Sequence, residues 1–301
     1  MTGDAGLTGE GGLTGEGAPA ERVVDAHLHA PPLSTVKPAW LEWADRFSGP
    51  VAWREVYDPA GNPVPARLDA LLEAEGVDRA LMFCEYSPRA TGIHTIEENV
   101  PFTEYNPVRF RLVANVNPHL HHPPAREAER QLSFGAVAVK IHPVHGAFSP
   151  ADKELYRLYE VCAGRGVPVI VHSGTSSFPG SRSSLGDPAL MTDVVEDFPE
   201  VSFVFAHAGR GWWYDTAAFL ALARPNVWLD LAGLPPSRLP SYFARFDLAR
   251  LAERFIFGTD WPGVPGTAAN VRALRSLGLP DAVFRDVVSG NAAKIFPGLG
   301  I

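Results

Sequence analysis

Short runs of β-branched and other apolar residues alternate along the chain with stretches of helical spacing. Eight such runs stand out: VVDAHLH (23–29), RALMFCE (79–85), FRLVANV (110–116), AVAVKIH (136–142), VPVIVHS (167–173), VSFVFAH (201–207), NVWLDLA (226–232) and RFIFGTD (254–260). Between them lie helical segments such as ARLDALLEAEG (66–76), AREAERQLSFG (125–135) and DKELYRLYEVCAGRG (152–166), each stopping at or near a glycine. This rhythm is that of βα units around a parallel sheet, and eight strands with eight connections predict a closed α/β barrel over residues 21–301. A doubly wound open sheet would carry a Gly-rich turn after its first strand, whereas the turn here reads HLHAPPL.

Polar residues interrupt these runs mainly at their carboxyl ends. His27 and His29 alternate across Leu28 and so point the same way, into the mouth of the predicted (β/α)8, or TIM, barrel. The fourth run presents Lys140 and then His142, the fifth His172, the sixth His207 and the eighth Asp260, all converging on one axis. Neutral imidazoles and a carboxylate suit zinc and similar divalent ions, and ligands on separate rigid strands leave a position open for water. An ion placed there lowers the pKa of a bound water to roughly 7 and polarises a carbonyl, so hydrolysis is the natural use. Two connections after strands, 30–65 and 174–187, are long enough to act as lids over such a site.

Composition narrows the partners. The chain has 301 residues, 46% of them apolar and 20% charged, and no apolar run approaches the length of a membrane span. A net charge of −8 without a basic stripe argues against nucleic acid and anionic membrane, leaving a small-molecule substrate and copies of the chain itself as partners. Cys84 and Cys162 sit in apolar-periodic segments as small hydrophobes, which fits a reducing cytoplasm. The tandem GLTGEG of residues 6–17 is too polar and too Gly-rich to be a signal peptide or to order itself, and predicts a disordered tail over residues 1–20.

DAHLHA, AVKIHP, PVIVHSG, FVFAHAG, FGTDWP and the terminal SGNAAKIF occur in an order and spacing that resemble the amidohydrolase superfamily, in particular its amidohydrolase-related branch of TIM-barrel metal-dependent hydrolases. The resemblance covers about residues 22–301. It implies that His27, His29, His172 and Asp260 hold one divalent ion, zinc in first place and manganese as the other choice, and that Asp260 also contacts the attacking water. In binuclear relatives the residue matching His207 binds a second ion and the one matching Lys140 is a carboxylated bridge. In mononuclear relatives the His207 position faces water or substrate instead, and both assignments stay open at this point.

Other residues are weighed by place. His142, Arg210 and Trp261 are candidates for substrate binding, Arg210 because a guanidinium matches a carboxylate bidentately. Glu85 and Asp230 are placed to hydrogen-bond ligand imidazoles, and several of Trp40, Trp43, Trp53, Trp212, Trp213 and Trp261 would line a pocket while others pack the core. His119, His121 and His122 lie in a Pro-bounded loop and read as solvated. The resulting expectation is a hydrolase of an amide, lactone or ester bond acting through a metal-activated water, with Asp260 and His207 catalytic. The alternatives are a non-oxidative decarboxylase of an aromatic or unsaturated acid, with the ion binding substrate directly, and a non-catalytic metal-binding barrel.

Overall fold

Among the residues described by the computed structural model, 21–49, 52–263 and 266–299, eight parallel strands pair in the order of the chain. They are β1 (Val24–Leu28), β2 (Arg79–Phe83), β3 (Phe110–Val116), β4 (Val139–Ile141), β5 (Val169–Gly174), β6 (Phe203–Arg210), β7 (Val227–Asp230) and β8 (Phe255–Ile256). The backbone brings the last strand region back to the first: Ala26 N donates to Phe257 O at 3.0 Å, Asp260 N to His27 O at 2.9 Å and His29 N to Trp261 O at 3.0 Å. The sheet is therefore a (β/α)8 barrel, as the alternation of runs predicts. The tail predicted over residues 1–20 lies outside the described residues.

Strand ends depart from the sequence pattern where the backbone is recruited elsewhere. β8 holds two residues instead of the seven of 254–260, because Phe257 N turns to Val287 O and Asp260 adopts a φ of 65°. β6 runs on to Arg210 and re-pairs with Gly174 after an irregularity, with His207 and Ala208 at φ 66° and 47°. Helices keep closer to expectation. The one at Lys153–Arg165 stops where Gly166 takes a left-handed φ of 62° and its N–H bonds back to Ala163 O and Cys162 O.

Alternation along the strands divides the core into two layers. Ala26, Leu81, Val113, Ala138, Ile170, Val204 and Ile256 fill the barrel interior, and Ile295, Phe296 and Leu299 pack with them. Arg79, the first residue of β2, donates to Leu299 O at 2.9 Å, so the C-terminal segment seals the amino end of the barrel. Leu112, Val139, Ile141, Val169, Val171, Phe203 and Phe205 point outward under the helices. Cys84 and Cys162 are free and buried, and no helix among the described residues is long and apolar enough to cross a membrane.

Three connections form the rim at the carboxyl end. The connection 30–65 contains the helix Pro38–Phe47, and the second is the segment 174–187 after β5. The third, after β2, carries an antiparallel hairpin of Glu85–Ser87 and Gly92–His94, which the continuous run 79–85 does not separate from the strand. Lys37 N donates to Thr91 O at 2.8 Å, and the Trp43 and Phe178 rings meet at 5.8 Å, so the three segments brace one another.

Candidate metal centre

His27 is held on three sides. Its Nδ1 lies 2.5 Å from Asp230 Oδ2, its ring stacks on Phe83 with centroids 4.1 Å apart, and its neighbour Asp25 accepts hydrogen bonds from Thr259 N at 2.9 Å and Thr259 Oγ1 at 2.6 Å. The Asp25–Thr259 pair ties the β1 end to the residue before Asp260. His27 Nε2 and His29 Nε2 then face the same oxygen, Asp260 Oδ1, at 3.8 and 3.6 Å. The other oxygen, Oδ2, lies 3.9 Å from both His207 Nδ1 and Arg210 Nη1. His172 is buried with its ring 4.7 Å from that of His207.

Hydrogen bonds fix which nitrogens are bare. The Nδ1–H of His207 donates to Ala232 O at 2.7 Å, and that of His27 donates to Asp230, so in both rings Nε2 keeps its lone pair. His207 is therefore suited to ligating an ion or to accepting a hydrogen bond from water. Burial above all, with the charge of Lys140 adding to it, holds the His27 and His172 imidazoles well below their ordinary pKa, in the neutral form that binds ions.

The residues present fit a divalent ion. Among the described residues neither nitrogen of buried His172 has a hydrogen-bond partner, a costly state for a polar group unless something else takes it. His27, His29 and Asp260 meanwhile bring one ligand atom each to within 4.8 Å of one another. His207 and Asp260 also sit at positive φ, conformations that non-glycine residues seldom adopt and that concentrate at functional sites.

Asp230 supports this centre through His27. Replacing Asp230 by Ala frees the His27 ring to turn, and metal affinity should fall about 10- to 100-fold, measured by competition with a chelating dye. Gly233 guards the other side: at φ +68°, a Cβ there would stand 2.6 Å from Arg210 Nη1 and 3.0 Å from Asp260 Oδ2. Gly233→Ala should cost about 1–2 kcal/mol in stability, seen as a lower thermal midpoint, and should displace Arg210 from the cavity.

Lys140 is buried, with Nζ 5.2 Å from the Phe83 ring centroid and no carboxylate in ion-pair contact among the described residues. Burial pulls its pKa down to about 8 against the attraction of Asp230 and Asp260, so more neutral amine is present near pH 7 than on a surface lysine.

A cavity of about 530 Å³, measured out to its open mouth, joins this centre to a second group of residues. His29, His172, His207, Lys140, Arg210 and Asp260 line it together, with Trp40, Trp43, Phe83 and Phe178 as apolar walls. His142 also lines it, its ring stacked between those of His145 and His172 at 3.6 and 4.0 Å. Glu85 does not reach a candidate ligand imidazole; its Oε1 lies 2.8 Å from His145 Nδ1. The sequence reading passes over His145 and Ser176, although HPVHG places a second histidine one short turn after His142.

Glu85, His142 and His145 also bring possible ligand atoms together, but His145 spends Nδ1 on Glu85 and Nε2 on Ser176 Oγ at 2.9 Å. That group is satisfied by the protein, unlike His172. Trp261 corrects an expectation: it packs in the core with Leu68 and Leu72 and does not line the cavity, because the left-handed φ of 65° at Asp260 and the bond from His29 N to Trp261 O turn it away from the mouth. Trp53 is likewise core and Trp212 is exposed. His119, His121 and His122 stay outside the cavity, and His121 Nδ1 accepts from Asn117 N at 3.2 Å.

A family model described as Amidohydrolase matches residues 24–298. No curated protein matches the chain at a significant level. Solved structures do. An uncharacterised TIM-barrel protein from Bordetella bronchiseptica superposes with a TM-score of 0.75 at 21% identity, covering 91% of this chain and 98% of the other. The 5-carboxyvanillate decarboxylase of Sphingomonas paucimobilis gives 0.64 at 18% identity, over 92% and 99%. A dihydroxybenzoic acid decarboxylase from a Polaromonas species, with bound manganese and the inhibitor 2-nitroresorcinol, gives 0.64 at 14% identity, over 92% and 97%. At these identities the likeness is one of fold.

Proposed function

Since the chain belongs to the amidohydrolase family, matched over residues 24–298, we propose that it is a metal-dependent enzyme that hydrolyses an amide, lactone or ester bond of a small molecule. The observation that carries this reading is the division of Asp260: Oδ1 faces His27 and His29, while Oδ2 faces His207 and Arg210. One carboxylate can thus share in holding an ion and still move a proton.

His27, His29, His172 and Asp260 would hold the ion, zinc or manganese, through bare imidazole nitrogens and Oδ1. The ion's contribution, when bound, is to polarise a carbonyl and acidify a water. The chain does the rest. His207 Nε2 accepts a hydrogen bond from the attacking water and orients it. Asp260 Oδ2 takes the water's proton and returns it to the leaving group. Arg210 anchors an anionic group of the substrate, and Trp43 and Phe178 screen the cavity from bulk solvent.

A second reading, non-oxidative decarboxylation, is favoured by one feature: Lys140 and Arg210 line a cavity walled by Trp40, Trp43, Phe83 and Phe178, which suits a flat acid. Two of the similar solved structures bear the names of such decarboxylases. The test incubates zinc- and manganese-loaded protein with a panel of lactones, N-acyl amino acids and hydroxybenzoic acids, following acid release and carbon dioxide together. Acid release from a lactone or amide supports hydrolysis. Carbon dioxide from an aromatic acid, without hydrolysis of any panel member, replaces it with the second reading.

A further inference from the structure

We infer that His142 is a hydrogen-bond donor to an anionic oxygen of the substrate, next to His172 in the cavity wall, held in that role by the Glu85–His145–Ser176 chain. The inference deepens the reading of the cavity as a substrate site and rests on it.

The donor assignment follows from proton counting. His142 caps the short turn Pro143–Gly146, and its Nδ1 accepts the His145 backbone N–H at 3.2 Å. A nitrogen that accepts carries no proton, so the proton of the ring is on Nε2. Among the described residues Nε2 has no hydrogen-bond partner, and the residue lines the cavity. His27 and His207 carry the opposite arrangement, with Nδ1–H engaged and Nε2 bare. Among these cavity imidazoles His27 and His207 therefore present acceptors, and His142, stacked on His172 at 4.0 Å, presents a donor.

The neighbouring chain explains why His142 cannot reverse. Ser176 Oγ accepts from Phe178 N at 3.3 Å and lies 3.1 Å from Ser181 Oγ and 2.9 Å from His145 Nε2. His145 donates through Nδ1 to Glu85 Oε1, a carboxylate oxygen that only accepts and that also takes the Thr91 Oγ1 hydrogen at 2.7 Å. Every position on His145 and Ser176 is filled, which removes both as ligand or nucleophile. They act as positioning residues: His145 fixes the turn whose amide pins His142 Nδ1, and its ring supports one face of His142 at 3.6 Å.

With Lys140 and Arg210 lining the same cavity, a ligand reaching across it meets donors and cations. The matching chemistry is a carboxylate, phenolate or similar oxygen anion. Against a charged acceptor, loss of the His142 donor should weaken binding about 10- to 100-fold.

The test uses full-length protein carrying isotope-labelled histidine, observed by long-range proton–nitrogen NMR, with His142 assigned by the signal missing in His142→Gln. The expected wild-type spectrum shows a lone-pair nitrogen at Nδ1 and a protonated Nε2, and the Nε2–H signal shifts when benzoate is added. Benzoate affinity should fall in His142→Phe and be partly kept in His142→Gln, whose amide can donate, with metal content unchanged in both. A protonated Nδ1, an Nε2–H indifferent to benzoate, or loss of metal in His142→Phe would overturn the inference. Because the spectrum needs no turnover, it separates failure of this assignment from failure of the hydrolase reading.

Discussion

Asp260→Asn should lower turnover by about a hundredfold to ten-thousandfold, the range typical of losing a positioned proton-transfer group. The substitution keeps shape and removes the charge. Asn cannot take a proton from water, and it is a poorer partner for an ion than the carboxylate whose Oδ1 faces His27 and His29. The local backbone should survive, because Asn tolerates the φ of 65° found here and the bonds from Asp260 N to His27 O and from Gly263 N to Asp260 O involve main chain only. The thermal midpoint of the metal-free protein should therefore move by no more than a few degrees, about the effect of 1 kcal/mol. Near-normal turnover in this variant would take Asp260 out of the chemistry.

Stripping the ion from wild-type protein should lower its thermal midpoint by about 5–10 °C, and zinc or manganese should restore it, given free metal near a hundred times the dissociation constant. The physical source is His172. Among the described residues neither of its buried nitrogens has a partner, a penalty that a bound ion would remove for at least one of them. His172→Ala should abolish this response: the variant should hold little metal, and its midpoint should be the same with or without a chelator. The two measurements guard each other, since a variant that merely unfolds would lose its transition altogether.

Much of this site is readable in the sequence because strand geometry makes it so. His27 and His29 share a face by alternation alone, and the polar ends of separate apolar runs converge once eight runs imply a barrel. Asp230, at the end of β7, stands where a partner for a ligand imidazole belongs, and it meets His27. What escapes the reading depends on irregular backbone. Trp261 follows Asp260 in a motif that suggests a pocket residue, yet the left-handed turn at Asp260 and the closure onto β1 send it into the core. Glu85 reaches His145 only because a hairpin after β2 folds over the rim, and Ser176 joins them from a different lid. No periodicity announces contacts between loops, so the chain that fixes His142 is invisible until the rim is in view. The tautomers of His142 and His207 are likewise set by a turn amide and a loop carbonyl, not by their neighbours in sequence.

Whether His27, His29, His172 and Asp260 hold one divalent ion is decided by elemental analysis of the purified protein grown with zinc and with manganese. The expected result is one ion per chain in the wild type, lost in His172→Ala and kept in Lys140→Ala. A protein that carries no ion and takes up neither metal would contradict it, and so would a second ion lost together with Lys140.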